Sequence, residues 1–433
     1  MKKRWIILMS IVIVLGLIGV FMPEQPGLWE ADGNFDAANV AWMITATIFV
    51  LMMTPGLSFF YGGMVGQKNV ISTILQSFIA MGIISVLWVA FGFSLAFGED
   101  VGGFIGNPAT YFMFKDVGAK VDTYLAPTIP LALYALFQMK FAIITPSLIT
   151  GSFAERVRFS AYMVFMILFC IFVYCPLAHW TWHPDGFLRQ LGVVDFAGGI
   201  VVHASSGVAA LTGAIFLGRR KQQDHHDPAN IPFVILGAAM LWLGWFGFNA
   251  GSSLAADSVA IKAFLNTNTA SATAMMAWIF FDCLRGRKPS AMGAAIGAVV
   301  GLVAITPSAG YVTVGQSIFI ALTTTIICNI AVYWKNKTTV DDALDVFPTH
   351  GVGGIFGTIL TGIFVNGLVV GNVDVFLIHL AAVVAVGVYT FLVSYALYWL
   401  TNKMIPMRVS ARSEAIGLDI SQHDEHYGVM ADN

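Results

Sequence analysis

Two segments of the chain place an aspartate shortly before a histidine at the head of a long apolar, glycine-rich run. One is D-F-A-G-G-I-V-V-H, from Asp195 to His203, and the other is D-V-F-P-T-H, from Asp345 to His350. Imidazole and carboxylate groups can hold, transfer or relay protons. Because ionisable groups within apolar helices are unfavourable, those that occur usually mark substrate paths or proton relays. The two histidines are therefore the first candidates for chemistry.

The composition predicts what surrounds these histidines. Of 433 residues, 58% are apolar and 11% are charged, and the mean hydropathy is +0.79. Apolar runs of about 20 residues, the length that crosses a lipid bilayer as a helix, recur along the chain. These features predict one polytopic membrane domain. The net charge of −2 gives no reason to expect a nucleic-acid partner, and the four cysteines have neither zinc-ligand nor redox spacing, so no metal or cofactor is predicted.

The apolar runs predict an all-α membrane protein with eleven spans, numbered 1 to 11 in chain order. Together the spans make up a membrane domain of residues 38–402. The predicted spans are 38–60, 70–97, 129–150, 160–179, 198–218, 233–251, 258–281, 291–305, 315–334, 350–365 and 378–402.

The flanking segments and the loops predict the orientation. Residues 1–22 join Lys2, Lys3 and Arg4 to an apolar run, which is the layout of a bacterial signal peptide. The segment is either removed or kept as an extra helix, and the polar spacer 23–37 favours removal. Fourteen loop and tail cations lie on one side of the spans and four on the other. By the positive-inside rule, the tail 403–433 is cytoplasmic and the mature N-terminus lies outside the cell (inner) membrane.

The chain also carries signs of an internal repeat. Spans 5 and 10 share the Asp-then-His pattern, and F-F-Y-G-G at the end of span 1 resembles F-G-F-N-A-G in span 6. Corresponding spans are five apart, an odd number, so the two halves must have inverted topology. Inverted repeats are common in transporters, with the substrate path at the midplane between the halves.

Seven ordered motifs run along the chain from about residue 36 to the tail. They are T-P-G-L-S-F-F-Y-G-G-M-V-G-Q-K-N-V, F-Q-M-K-F-A-I-I-T-P, G-S-F-A-E-R-V-R-F-S-A, D-F-A-G-G-I-V-V-H, G-W-F-G-F-N-A-G-S, D-V-F-P-T-H-G-V-G-G and G-L-D-I-S-Q-H. Together they resemble the family of ammonium transporters, methylammonium permeases and Rhesus proteins, and are closest to its bacterial and archaeal ammonium transporters. The resemblance implies a homotrimer in which each eleven-helix protomer has its own narrow pore for ammonium or ammonia.

The resemblance also implies roles for individual residues. An outer site that recruits ammonium by cation–π attraction and a hydroxyl group would consist of Phe137, Trp182, Trp245 and Ser252. Below it, Phe141 and Phe248 would form a gate of stacked rings, because an apolar plug makes the passage of a bare cation unfavourable. The histidines His203 and His350 would face each other in the pore, share a hydrogen bond and relay a proton or guide ammonia.

Three further residues are predicted to support the site. Asp195 and Asp345 lie at the starts of spans 5 and 10, where a carboxylate can accept backbone N–H groups of the first helical turn. The Ala197 carbonyl is implied to contribute to the recruitment site. Lys140 departs from the expected pattern because it lies between Phe137 and Phe141, and we expect its side chain to face away from the pore.

The residues leave three alternatives open. Each histidine could be a satisfied structural side chain, and paired intramembrane histidines can also ligate haem iron. The protein could be an ammonium sensor that signals through its tail, although only about thirty residues follow span 11. A tail of this length, with G-L-D-I-S-Q-H and the loop 219–226, is typical of docking, and the resemblance implies a P-II-type signalling protein as the partner.

Overall fold

The computed structural model describes residues 2–22, 25–30, 34–221 and 227–428. Eleven mainly helical spans account for most of this part of the chain, and each overlaps one predicted range, so the predicted fold class is confirmed. Within the described residues, nine of these spans are long and apolar enough to cross a membrane by length and composition; span 7 is not among them, and span 8 has only 15 residues. The bounds are Ala37–Met64, Gln67–Phe97, Leu131–Phe153, Phe159–Gln190, Gly199–Leu217, Ile231–Ser253, Ser258–Leu284, Ala291–Ile305, Val314–Lys335, Phe347–Val370 and Val373–Met404.

Smaller elements lie at the two membrane faces. We call the face that carries the C-terminal tail the inner face and the opposite one the outer face. The outer loop between spans 2 and 3 holds two antiparallel hairpins, Asp100–Val101 with Ile105–Gly106 and Val121–Asp122 with Ala126–Pro130. The tail contains the helix Ala411–Ile416 and a π-helical turn, Asp419–His423.

The N-terminal segment forms the helix Lys2–Phe21. Its last residues, such as Val20 and Phe21, are largely exposed within the protomer. Its removal stays a prediction.

Several spans begin where a polar side chain caps the first turn. The side chain accepts a hydrogen bond from a backbone N–H three residues later, which satisfies one of the donors left unpaired at a helix start. These caps explain why the loops end where they do, even though the helices themselves are almost uniformly apolar. The capping residues are Asp36, Asn230, Asp257, Ser290, Thr313 and Asn372.

The two halves of the repeat meet along spans 1 and 6 and along spans 5 and 10. Spans 5 and 10 approach each other most closely where glycines face backbone. A Cβ on Gly207 would overlap the backbone nitrogen of Gly351, and one on Gly354 would lie 2.6 Å from the Gly199 carbonyl oxygen. Only glycine permits this approach, and it brings the histidine-bearing turns of the two halves together.

The tail packs against the inner ends of its own protomer. The Asp419 carboxylate accepts hydrogen bonds from the backbone N–H groups of Ile71 and Ser72 in the first turn of span 2, at 3.1 and 2.7 Å. Gln422 accepts one from the backbone N–H of Phe159 at the start of span 4. The motif G-L-D-I-S-Q-H therefore caps the starts of spans 2 and 4.

Candidate functional site

A vestibule of about 290 Å³ opens at the outer face between spans 3, 4 and 6 and the segment before span 5. Trp182 and Ser252 of the predicted recruitment site line it, together with Phe141 of the predicted gate. The Ser252 hydroxyl donates to the Phe248 carbonyl at 2.8 Å. Its proton is thereby directed into the helix, and its oxygen lone pairs are available to a cation in the vestibule.

A buried turn fixes the vestibule wall. The Trp182 indole N–H donates to the Asp195 carbonyl oxygen at 2.9 Å. Gly198 has φ +112°, a conformation that favours glycine, and it starts the first turn of span 5. The two oxygens of the Asp195 carboxylate accept four backbone N–H groups at 2.6–3.1 Å, from Gly198, Gly199, Ile200 and Val201.

Two stacked rings close the floor of the vestibule. Phe141 and Phe248 have centroids 4.2 Å apart and planes at 24°. Trp182 and Phe137 both contact Phe141 edge-on, with ring centroids 5.7 Å and 4.9 Å from that of Phe141. Phe141 is 1% exposed and Phe248 is fully buried. The stack therefore separates the vestibule from the interior.

A narrow inner cavity lies beyond the rings. The space that the centre of a water-sized molecule can reach is about 10 Å³, at the lower limit for holding one such molecule. Aliphatic side chains of spans 1, 3, 6 and 8 line it together with His203 and His350. The two Nδ1 atoms are 3.3 Å apart, so one ring donates to the other. Within the described part of the chain, the buried His203 Nε2 has no hydrogen-bond partner.

Both histidines lie in π-helical turns, Gly199–Ala204 and Phe347–Gly351. Such turns are rare and often occur at functional sites. The wider turn displaces the helix backbone locally, and together with the glycine contacts of spans 5 and 10 it lets the two rings meet. The sequence contains no clear signal for a π-turn, so this feature was not predicted.

A sequence profile described as the Ammonium Transporter Family matches residues 41–427. The chain belongs to this family. An ammonium transporter of Bacillus subtilis is 43% identical over 397 residues, which cover 89% of this chain and 97% of that one. The structure of Saccharomyces cerevisiae Mep2 has a TM-score of 0.85 and 32% identity, over 93% of this chain and 94% of that one. A structure titled "Sensor Amt Protein" has a TM-score of 0.82 and 29% identity, over 89% and 98% of the two chains.

In this member of the ammonium transporter family, Trp245 lies deeper than expected. The sequence analysis grouped it with the outer site, but it lines the inner cavity and its ring stacks on His203 at 5.2 Å. Its indole N–H donates to the Thr306 hydroxyl at 2.9 Å, which anchors it beyond the rings. Phe137 and Ala197 are buried beside the vestibule and are not among the residues that line it.

The cap of span 10 in this transporter is Asp342 and not the predicted Asp345. The Asp342 carboxylate accepts the backbone N–H of Phe347 at 2.7 Å. Asp345 has a left-handed backbone, with φ +58°, and its carboxylate pairs with Lys335 at 2.6 Å. This left-handed backbone turns the Asp345 side chain toward span 9 and away from the start of span 10. A spacing of eight residues to the histidine, as from Asp195 to His203, would have identified Asp342.

Lys140 lines neither the vestibule nor the inner cavity. Its side chain is 8% exposed, and the Nζ atom contacts the Met139 sulfur at 3.7 Å. The described residues place no carboxylate within 4.0 Å of it. The amine is buried within the protomer and borders neither cavity, which agrees with a side chain that faces away from the pore.

The haem alternative does not fit the geometry of the histidine pair. Two axial histidines on one iron would each place a nitrogen about 2 Å from the metal, and hence about 4 Å from each other across the plane of a macrocycle. The facing nitrogens of His203 and His350 are 3.3 Å apart and hydrogen-bonded, and the cavity beside them holds no more than one water-sized molecule.

Proposed function

We propose that this protein recruits ammonium at the outer vestibule, removes its proton near the ring stack, and conducts ammonia past His203 and His350 to the inner face. The observation that carries the proposal is the order of three compartments along one axis. A polar vestibule of about 290 Å³ is followed by two stacked rings and then by a cavity of about 10 Å³. The accessible space falls to the size of one small molecule at the point where the lining side chains become apolar.

Recruitment would use Trp182 and Ser252, with the face of Phe141 as the floor. Aromatic faces attract a cation, and a hydroxyl oxygen replaces part of its hydration shell. The Ser252 lone pairs and the Trp182 ring both border the same space. Ammonium can donate hydrogen bonds to such oxygens, whereas an alkali cation of similar size cannot.

The ring stack would select for the neutral form of the substrate. Moving an ion out of water into a medium of low dielectric costs several kcal/mol, even after relaxation of the protein. Ammonia has no net charge and avoids most of this penalty. Loss of the proton before or at the Phe141 and Phe248 rings is therefore the favoured order of events.

The histidine pair would guide ammonia and can relay a proton. Because the two rings share one hydrogen bond through their Nδ1 atoms, each Nε2 atom is left for the cavity. One Nε2 atom therefore accepts and the other, which carries a hydrogen, donates. These roles reverse when the accepting Nε2 gains a proton, the shared proton shifts to the other ring, and the Nε2 of that ring releases its own proton. The pair thus offers a polar track in an otherwise apolar cavity, with or without net proton transfer.

The test is ammonium-driven transport by the purified protein in proteoliposomes, measured as the internal pH change and, separately, as current. Ammonium should produce a saturable response, and potassium should produce none. If wild-type protein gave no ammonium-dependent signal in either measurement while still binding ammonium, the transporter proposal would fail. The sensor alternative, favoured by the similarity to a protein titled "Sensor Amt Protein", would then replace it.

We also propose a homotrimer in the cell (inner) membrane with the tail in the cytoplasm. The excess of basic residues on the inner face supports this orientation. An apolar groove of about 610 Å³ between spans 1, 6 and 7, bordered by Trp42, Phe246 and Phe264, offers a surface for a second copy. Native mass spectrometry of the detergent-solubilised protein should show three copies, and a monomer at all detergent conditions would contradict the proposal.

The final part of the proposal is regulation by a P-II-type protein at the inner face. It is supported by the tail motif and by Arg219, which extends over the inner face and donates to the carbonyls of Thr338 and Thr339. His225 and His226, which the sequence analysis included in this surface, lie outside the described residues. A pull-down with the cognate P-II protein, with and without nucleotide effectors, should retain it in at least one condition. An empty pull-down in all of them would contradict it.

A further inference from the structure

Among the described residues, the vestibule wall contains one basic and one carboxyl-bearing side chain, Arg189 and Asp195. They differ in how far the charged group is exposed to the vestibule. Asp195 is 6% exposed, and its four backbone hydrogen bonds direct both carboxylate oxygens into the turn. Arg189 is exposed to solvent. The accessible fixed charge at a site that recruits a cation is therefore positive.

Arg189 is held in place beside the aromatic part of the vestibule. It lies in the short helix Phe187–Gln190, and its Nη1 donates to the carbonyl oxygen of Trp182 at 2.5 Å. The Trp182 indole in turn donates to the Asp195 carbonyl. In the part of the chain that the structure describes, no carboxylate lies within 4.0 Å of the guanidinium. An ion pair therefore does not neutralise its charge.

We propose that Arg189 sets the ammonium affinity of the vestibule by electrostatic repulsion, so that the site fills only at higher ammonium concentrations than its aromatic and hydroxyl groups would otherwise require. This inference rests on the proposed recruitment site. A fixed cation several ångströms from a bound cation in a partly solvated mouth weakens binding by roughly two- to fivefold at low salt. The effect falls as ionic strength rises, because salt screens exposed charges.

A purely structural role for Arg189 predicts the opposite result. If its main task were to hold the Trp182 carbonyl, its loss would loosen the aromatic wall and weaken ammonium binding at every salt concentration. The direction of the change and its dependence on salt therefore separate the two roles.

The experiment measures the half-saturating ammonium concentration for the internal pH change in proteoliposomes, at several concentrations of sodium chloride. Arg189→Gln should lower this concentration roughly two- to fivefold at about 10 mM salt, with the difference disappearing near 0.5 M. Arg189→Lys keeps the charge and should keep the salt dependence of the wild type. An increase in Arg189→Gln, or a decrease that salt does not alter, would overturn the proposal.

Lys262 provides a matched control. It is an outer-face cation that donates to a carbonyl of a vestibule residue, Tyr311, at 2.8 Å, but its own side chain does not line the vestibule. Lys262→Gln should therefore change the half-saturating concentration less than Arg189→Gln at low salt, and an equal shift would show that Arg189 has no special role. The wild-type signal in the same assay tests transport itself, so failure of the proposed function is seen before any variant is compared.

Discussion

Asp195 stands eight residues before His203, and Asp342 stands eight residues before His350. In the first half of the repeat, at the outer face, the Asp195 carboxylate accepts four backbone N–H groups and needs no other partner. In the second half of the repeat, at the inner face, the Asp342 carboxylate accepts the backbone N–H group of Phe347. One of its two oxygens has no hydrogen-bond partner among the described residues. Equivalent positions of the repeat therefore position equivalent histidines by different means.

The turn before span 10, at the inner face, depends on a neighbouring ion pair. Lys335 at the end of span 9 pairs with Asp345 and also donates to the Asp342 carbonyl oxygen at 2.8 Å. A carboxylate closed within its own turn is stabilised locally, whereas a carboxylate beside an ion pair responds to the charges around it. We therefore expect the outer turn to be the more robust and the inner turn to be the more sensitive to pH.

The largest expected effect concerns the histidine pair that the two turns bring together. His203→Ala and His350→Ala should each lower ammonium-driven transport at least about 100-fold, because loss of either ring removes the shared hydrogen bond and half of the polar track. The double variant should be no slower than the slower single one, since groups that act as a unit are not additive. The internal pH change in proteoliposomes measures this, and multiplicative losses would contradict the paired mechanism.

The second prediction compares the caps directly. Asp195→Ala should lower the free energy of unfolding by about 3 kcal/mol, because it leaves several buried backbone donors without a partner. Asp342→Ala should cost about 1 kcal/mol, the usual loss for one cap. The melting temperatures of the two variants in detergent show which loss is larger. Asp374→Ala, in the first turn of span 11, is the control. Equal losses would show that the extra hydrogen bonds of Asp195 contribute little.

The third prediction concerns pH. Burial raises the pKa of Asp342 to about 6, an effect that the nearby Lys335 partly offsets. A carboxyl whose pKa is higher in the folded state binds its proton more tightly there, so its contribution to stability falls as pH rises from about 4 to about 6. The melting temperature of the wild type relative to Asp342→Asn should therefore decrease over this pH range. A pH-independent difference would mean that the carboxyl does not titrate there.

The smallest expected effect comes from a charge that lies in one half only. Span 3 contains Lys140, whereas span 8, its repeat mate, contains no charged residue. Because Lys140 lines neither the vestibule nor the inner cavity, Lys140→Met should change ammonium transport by less than about twofold. Uptake should be compared at equal amounts of folded protein. A large gain would place the amine in the substrate path and contradict this geometry.

Much of the fold follows from local properties of the sequence. Spans of about 20 apolar residues must form helices in a bilayer, because no water is present to satisfy the backbone groups. The Asp195 cap is equally local, since a carboxylate before a G-G turn can reach only the N–H groups that follow it. These features need no knowledge of distant contacts, and the sequence analysis located them.

The misplaced residues depend on long-range contacts. Asp345 is the cap that the sequence predicts because it lies at the start of span 10, but its left-handed backbone and the Lys335 side chain from another span direct it elsewhere. Trp245 was assigned to the outer site, and its bond to Thr306 on span 8 holds it in the inner cavity. In both cases the partner lies on a different span, and apolar periodicity carries no information about which spans are neighbours.

The sequence by itself determined the eleven spans, the paired Asp-then-His segments and the family to which they are similar. Only the tertiary structure decided that the hydrogen bond between His203 and His350 joins their Nδ1 atoms, that Asp342 caps span 10, and that an exposed Arg189 lies at the mouth. The physical reason is that hydrophobicity and turn chemistry act between neighbours in the chain. The site is formed by contacts between distant spans, made possible where glycines let two backbones approach.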